Sequence, residues 1–152
     1  MFRGISSVKL DDKGRLALPV RYRETVRSVS AGQVVVTIDV ADNCLLLYPL
    51  NEWEVVQRHV ESLANVGNAA RTVQRLLIGH ATDVELDANG RLRLPALLRE
   101  HAGLRKQITL VGQGNKIEIW SEAAWTEGMS TWVGSEAAQI LAEAESLTGL
   151  RL

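Results

Sequence analysis

Two segments of this sequence, 76 residues apart, are nearly identical. Residues 8–19 read VKLDDKGRLALP, and residues 84–95 read VELDANGRLRLP. The match runs on without a gap to residues 24 and 100, and ten of these seventeen positions carry the same residue in both copies. Chance does not produce such agreement, so the chain contains an internal repeat.

The segments that follow each copy are also similar in kind. Two apolar runs rich in β-branched and aromatic residues come after each copy. They lie at 33–38 and 44–49 in the first half and at 107–112 and 116–121 in the second. Runs of this length and composition are typical of buried strands. The order of elements is therefore duplicated too, and it predicts two β-rich halves.

Each repeated segment has the pattern of two strands joined by a turn. Apolar residues alternate with polar ones on both sides of the turn, which is the period of a half-buried strand. The turn sequences DDKG and DANG place Gly14 and Gly90 where a tight turn needs a positive φ. Asp11 and Asp87 can accept hydrogen bonds from the turn backbone. The pattern predicts a β-hairpin in each copy.

Helices are predicted between and after these strands. Pro19 and Pro95 end the strands of their copies and can begin short helices, because proline fits the first turn of a helix better than a strand ladder. Apolar residues at helical spacing follow at 50–66 and 68–81, with Gly67 as a break. The predicted organisation is a first repeat with a trailing helix (1–66), a linking helix (67–79), a second repeat (80–133) and a C-terminal helix (134–152).

The outward face of the first predicted hairpin is basic. With its leucines inward, Lys9, Asp11 and Arg15 point outward and Lys13 lies at the tip. A two-stranded ribbon fits the major groove of B-DNA, where a guanidinium can donate to O6 and N7 of guanine. A pair between Arg15 and Asp11 is the structural alternative, and it would also hold the arginine for recognition. We therefore predict Arg15 as the leading DNA contact, with Lys13, Lys9 and Arg3 in support.

The second predicted hairpin carries Arg91 and Arg93 outward, but it is less basic. Glu85 stands where the first copy has Lys9, and residues 84–100 have no net charge, whereas residues 8–24 carry +2. We keep Arg91 and Arg93 as candidate DNA contacts. The first copy is the better candidate for the DNA face, and the second is expected to complete the fold or contribute to a subunit interface.

Charge and composition exclude several other classes of protein. The chain has 17 basic and 18 acidic residues, but residues 1–29 carry +4 and residues 117–152 carry −5. It has no apolar run long enough to cross a membrane, and its charged start is unlike a signal peptide, so we expect a cytoplasmic protein.

No pattern of catalytic or metal-binding residues is present. Asp11 and Asp12 are adjacent in the chain, so on a strand they would point to opposite faces. The three histidines have no metal-ligand spacing, and Cys44 is the only cysteine, which excludes a disulfide within the chain and a cysteine-based zinc cluster. We expect no enzyme activity, no cofactor and no metal, with Cys44 buried as a small apolar side chain.

The duplicated D-x-x-G-R turns, the opening MFRG and the segments LLLYPLNEW and RTVQRLLIGHA together resemble the MraZ family over essentially the whole chain. That family is similar to two fused AbrB/MazE-type units. The resemblance implies an α+β fold: a β-rich double swapped-hairpin barrel of AbrB/MazE type, made from the tandem repeat, with flanking and linking helices. Two copies would close a shared barrel, since a few short strands bury too little surface to be stable alone.

The resemblance also implies a function. It indicates a bacterial transcription regulator, associated with the nucleoid, that represses its own operon of division and cell-wall genes by binding short direct repeats in double-stranded DNA. It further implies ring-shaped homo-oligomers, which head-to-tail contacts can close. The family's aspartate and arginine fall on Asp11 and Arg15 and on Asp87 and Arg91.

The alternative is an antitoxin-like or structural protein-interaction module. MazE-type barrels hold a partner protein through a disordered tail. In this chain the residues after 133 are rich in alanine and predicted to be helical, so this interpretation ranks second. Binding to RNA alone ranks lower, because the major groove of A-form RNA is too narrow for a ribbon.

Overall fold

The computed structural model describes residues 1–63, 67–134 and 136–149. The first half contains β1 (Phe2–Lys9), β2 (Arg15–Ala17), α1 (Val20–Ser30), β3 (Gln33–Ile38) and β4 (Leu45–Pro49), followed by α2 (Leu50–Glu61) and α3 (Asn68–Leu77). The second half contains β5 (Thr82–Glu85), β6 (Arg91–Arg93), α4 (Ala96–His101), β7 (Gln107–Gly114) and β8 (Ile117–Ser121), followed by α5 (Glu122–Trp132) and α6 (Ala137–Thr148). The predicted α+β class and the duplicated order of elements are confirmed.

The strands of the two copies are interleaved in space. Six strands form one antiparallel sheet in the order β1-β7-β8-β4-β3-β5, and β2 and β6 form a separate two-stranded ribbon. Of the six strand pairings among the described residues, only β3–β4 and β7–β8 join strands of the same half. The pairings β1–β7, β2–β6, β3–β5 and β4–β8 all join one half to the other. Within the ranges that the structure describes, neither half has a sheet of its own.

The prediction of a hairpin within each copy is wrong for the strand pairing, although the turn is confirmed. Asp11 N–H donates to the Arg15 carbonyl at 2.9 Å and Gly14 N–H donates to the Asp11 carbonyl at 3.0 Å, which closes the turn. Beyond it the strands separate, because β1 pairs with β7 and β2 pairs with β6. Short strands bury more apolar surface in a sheet shared by both copies than in isolated hairpins.

The closed barrel implied by the family resemblance is not confirmed. The six-stranded sheet is open, with β1 and β5 as its edges. The exchange of strands between copies is present, but it produces this open sheet and the separate ribbon.

One hydrophobic core serves both copies. The repeated leucines Leu16, Leu18, Leu92 and Leu94 are at most 1% exposed and belong to the same core cluster as apolar side chains from one face of β3, β4, β7 and β8. Both prolines predicted to begin helices do so, since Pro19 and Pro95 cap α1 and α4 with φ values of −51° and −58°. The predicted burial of Cys44 is confirmed at 0% exposure.

The chain divides into two compact units, Met1–Ser121 and Glu122–Leu152. The second contains α5 and α6, and in it the rings of Trp125 and Trp132 meet edge to face with centroids 5.4 Å apart. Helix α6 ends at Gly149, which adopts a left-handed conformation. In the part of the chain that the structure describes, no helix has the length and apolar character needed to cross a membrane.

Candidate nucleic-acid interface

The β2–β6 ribbon gathers outward-facing arginines from both copies. Its register places Arg15 opposite Arg93, Leu16 opposite Leu92, and Ala17 opposite Arg91. The two leucines are buried in the core. Because successive side chains of a strand point to opposite faces, Arg15, Arg91 and Arg93 share the other face. Two halves that are far apart in sequence thus make one basic surface.

Each turn next to the ribbon is organised by its aspartate. Asp11 Oδ1 accepts the backbone N–H groups of Lys13 at 2.9 Å and Arg15 at 2.8 Å, and its Oδ2 accepts Arg15 Nε at 2.9 Å. Asp87 repeats this arrangement with Asn89 at 2.9 Å and with Arg91 at 2.9 Å from the backbone and 3.1 Å from Nε. One carboxylate therefore fixes both the turn and the arginine that leaves it.

These hydrogen bonds keep the two aspartates charged. The backbone N–H of Arg15 is the main cause of the lowered pKa of Asp11, and the Arg15 side chain and the N–H of Lys13 also lower it. The backbone N–H of Arg91 does the same for the pKa of Asp87. In both pairs the aspartate accepts a hydrogen bond from the arginine Nε. The pair itself does not use the η nitrogens, which could reach a DNA base or phosphate.

Both turn glycines have a positive φ, as predicted. Both also have an arginine side chain close to the Cα, which was not predicted. Gly14 and Gly90 have φ values of 77° and 76° and are buried. A Cβ at Gly14 would lie 2.7 Å from Cζ of Arg99, and a Cβ at Gly90 would lie 2.6 Å from Nε of Arg23. Each glycine therefore admits an arginine from the opposite copy.

Sequence analysis missed these arginines as part of the site. Arg23 donates from Nε and an η nitrogen to the Leu18 carbonyl at 3.0 and 2.9 Å, and Arg99 Nε donates to the Leu94 carbonyl at 3.0 Å. A signal was present, because arginine occupies the same place in both copies of the repeat. Its meaning was hidden because the turn glycine that each arginine lies against belongs to the other copy.

The remaining predicted contacts lie at different places. Lys13 is exposed on the first turn, and Lys9 is exposed at the end of β1 that precedes it. Arg3 is exposed near the other end of β1, six residues from Lys9, so their Cα atoms are about 20 Å apart at 3.3 Å per residue. The structure thus brings Lys13 and Lys9 to the turn and leaves Arg3 away from it.

One cluster of potential metal ligands occurs among the described residues, formed by Asp39, Cys44 and Glu118, whose ligand atoms lie within 4.8 Å of one another. Burial, with the nearby Glu118 charge, raises the pKa of the Cys44 thiol, and burial also raises the pKa of Glu118. Metal binding needs the thiolate. The Cys44 sulfur lies 3.7 Å from Asp39 Oδ2 and 3.8 Å from Glu118 Oε2, within hydrogen-bonding distance of both carboxylates.

These features define an internally duplicated α+β protein whose interleaved copies present a basic two-stranded ribbon. The family described as "MraZ protein, putative antitoxin-like" matches residues 1–76 and, again, 77–144. This chain belongs to the MraZ family.

Several relatives carry the name Transcriptional regulator MraZ. The relative from Hydrogenovibrio crunogenus (strain DSM 25203 / XCL-2) is 50% identical over 151 residues, which cover 99% of this chain and 98% of the relative. The relative from Yersinia pestis (strain Pestoides F) is 47% identical over the full length of both chains. The relative from Legionella pneumophila (strain Corby) is 47% identical over 137 residues, or 90% of each chain.

Proposed function

We propose that this protein is a transcription regulator that binds double-stranded DNA through the β2–β6 ribbon. The observation that carries the proposal is the register of the ribbon, which puts Arg15, Arg91 and Arg93 on one outward face. A ribbon of this width fits the major groove of B-DNA. The name of the relatives, Transcriptional regulator MraZ, supports the same function.

In this mechanism the two aspartates prepare the arginines for recognition. Asp11 holds Arg15 at Nε, and Asp87 holds Arg91 in the same way. A guanidinium that is already oriented loses less side-chain entropy when it donates to the O6 and N7 atoms of guanine. Each bidentate contact of this kind contributes about 1–3 kcal/mol of discrimination against the wrong base. Lys13 on the first turn supplies charge to the phosphate backbone.

Both copies contribute to reading in this proposal. The charge comparison of the two repeats ranked the first copy above the second as the DNA face. The ribbon, however, contains one strand from each copy, so Arg15 and Arg93 are directly opposite neighbours. A DNA segment that reaches Arg15 would therefore also meet residues of the second copy. Arg15 remains the leading contact because it lies beside the exposed Lys13 turn.

The target and the assembly form the finer part of the proposal, and the family resemblance supports them. The protein would associate with the nucleoid in the cytoplasm and repress its own operon of division and cell-wall genes by binding short direct repeats in the promoter. A ring of identical subunits would present several ribbons to these repeats, and the linked contacts would raise the overall affinity.

The proposal is tested by a salt titration of binding to the protein's own upstream DNA. We expect affinity to fall steeply as salt rises, because released counterions drive phosphate contacts. Arg15→Ala should weaken specific binding by roughly tenfold or more, and Arg91→Ala should weaken it less. Arg71→Ala, which removes one exposed charge from α3, is the matched control. Oligomer size and folding are measured for each variant.

Two results would contradict the proposal. One is binding that is equally tight for the wild type and Arg15→Ala, which would make the repeated turn a structural element only. The other is the absence of DNA binding together with tight, salt-insensitive association with a protein partner, which would favour the antitoxin-like alternative.

A further inference from the structure

Two arginines outside the ribbon connect each turn to the opposite copy. Arg23 lies on α1 of the first copy, yet it lies against Gly90 in the turn of the second. Arg99 lies on α4 of the second copy, yet it lies against Gly14 in the turn of the first. Each also donates to the carbonyl at the end of its own copy's strand, Leu18 for Arg23 and Leu94 for Arg99.

Backbone hydrogen bonds also connect each strand end to the turn of the opposite copy. Leu18 N–H donates to the Gly90 carbonyl at 3.0 Å, and Leu94 N–H donates to the Gly14 carbonyl at 2.8 Å. The strand end and the opposite turn are thus already joined at the leucine whose carbonyl accepts hydrogen bonds from the arginine. The guanidinium lies against the glycine at this junction.

The geometry points to Arg23 and Arg99 as crossed positioning residues, each carried by one copy and fixing the turn of the other. Arg99 of the second copy fixes the turn that orients Lys13 and Arg15. Arg23 of the first copy fixes the turn that orients Asn89 and Arg91. The consequence for DNA recognition rests on the proposed function of the ribbon, whereas the effect on the turns does not.

The two turns differ in the number of arginines that contact them from the opposite copy. Arg27 on α1 donates from an η nitrogen to the carbonyls of Asp87 and Ala88 at 3.2 and 3.4 Å, so the second turn has two arginines from the opposite copy. The repeat places Gly103 at the equivalent position of the second copy, where no side chain exists to repeat this contact. Loss of Arg99 should therefore loosen the first turn more than loss of Arg23 loosens the second.

Hydrogen exchange of the DNA-free protein tests the crossing directly. We expect Arg99→Gln to speed exchange in residues 11–15 by roughly three- to tenfold, the effect of weakening the Leu94–Gly14 junction by about one hydrogen bond, and to leave residues 87–91 nearly unchanged. Arg23→Gln should speed exchange in residues 87–91 by a smaller factor and leave residues 11–15 nearly unchanged. Arg71→Gln is the control for lost charge. Equal loosening of both turns by each variant, or loosening of each arginine's own copy, would overturn the inference.

DNA-binding measurements then distinguish a positioning role of Arg99 from a direct contact between Arg99 and DNA. Arg99→Gln and Arg99→Lys should both weaken binding about tenfold without changing the salt dependence, since the guanidinium acts through the turn. Lys13→Ala, which removes a phosphate contact, should reduce the logarithmic salt slope by about one. A reduced slope for Arg99→Gln with full rescue by Arg99→Lys would make it a phosphate contact and overturn its positioning role.

A double-mutant comparison adds a readout that simple destabilisation would not produce. Arg99→Gln should be strongly sub-additive with Arg15→Ala in binding, whereas Arg23→Gln should be nearly additive with it. Additive behaviour of Arg99→Gln and Arg15→Ala would contradict the inference. If the exchange data show the crossing while the wild type fails to bind DNA, the crossed positioning stands and the proposed function fails.

Discussion

At the scale of single residues, the turns combine two requirements in one glycine. Gly14 needs a positive φ, which glycine adopts without a Cβ penalty, and it also needs space for Arg99. Gly103 has a similar φ of 61°, but a Cβ there would meet no atom within 4 Å. The two positions therefore separate backbone strain from the arginine contact.

Gly14→Ala should destabilise the protein by about 1–3 kcal/mol, whereas Gly103→Ala should cost about 1 kcal/mol from backbone strain alone. The difference between the two costs in unfolding free energy measures how strongly the nearby Arg99 opposes a Cβ at position 14. Urea unfolding of both variants checks this prediction. Equal costs at the two positions would mean that Arg99 moves away freely and does not constrain the turn.

A second residue-scale prediction concerns Glu118, which is 8% exposed and accepts the indole N–H of Trp120 at 3.0 Å. Burial is the main cause of its raised pKa, and the nearby Asp39 adds to it. The protonated form is therefore favoured in the folded state. This contribution to stability is fully present below the ordinary glutamate pKa of about 4.3 and is lost as pH rises through the raised pKa.

Glu118→Gln should therefore raise the melting temperature near pH 7 and converge with the wild type near pH 4. The glutamine oxygen can still accept from Trp120, so the change removes mainly the buried charge. Thermal unfolding between pH 4 and 8 provides the measurement, with Glu54→Gln on the exposed face of α2 as a control. A lower melting temperature for Glu118→Gln at pH 7 would show that the carboxylate charge is stabilising.

At the scale of elements, the ribbon is the point where the copies depend on each other most directly. Strands β2 and β6 have three residues each and pair only with one another in the described sheets. Their central residues, Leu16 and Leu92, lie directly opposite and are 1% and 0% exposed. The core side of the ribbon thus depends equally on both halves of the chain.

Leu16→Ala and Leu92→Ala should each destabilise the protein by about 2–5 kcal/mol, because both leave a cavity in the shared core. The double variant should deviate from additivity by about 0.5–3 kcal/mol, since the two leucines are cross-strand neighbours. Leu97→Ala on α4, where the side chain is 65% exposed, should change stability by less than about 0.5 kcal/mol. Strict additivity of the two core variants in denaturant unfolding would argue against the register seen here.

At the scale of the whole molecule, four of six strand pairings join the two copies. A separated half would keep only one pairing, β3–β4 or β7–β8, and an isolated pair of strands is marginally stable in water. The repeat is therefore needed because each copy completes the sheet, ribbon and core of the other.

Residues 1–66 and 67–152, prepared as two fragments, should lack a cooperative unfolding transition when separate and regain one when mixed in equal amounts. Circular dichroism and sedimentation of the fragments, compared with the intact chain, give the readout. A fragment 1–66 that unfolds cooperatively as a monomer would show that one copy can fold without the other.

The sequence alone determined the features that depend on neighbouring residues. The strands of the repeated segments follow from period-2 alternation, and the other strands follow from continuous apolar runs. The starts of α1 and α4 follow from Pro19 and Pro95. The turns follow from an aspartate and a glycine at fixed spacing, because their hydrogen bonds form within five residues. The duplicated order of elements was readable for the same reason, as it repeats these local patterns.

Only the tertiary structure decided which strands are neighbours. Alternation shows which face of a strand is buried, but the backbone N–H and C=O groups at its edge are the same for every partner. The exchange of β2 and β6 between copies, the open sheet and the contacts of Arg23 and Arg99 with the opposite turns therefore could not be predicted from local pattern. They arise because the two copies bury more apolar surface by interleaving than either could bury alone.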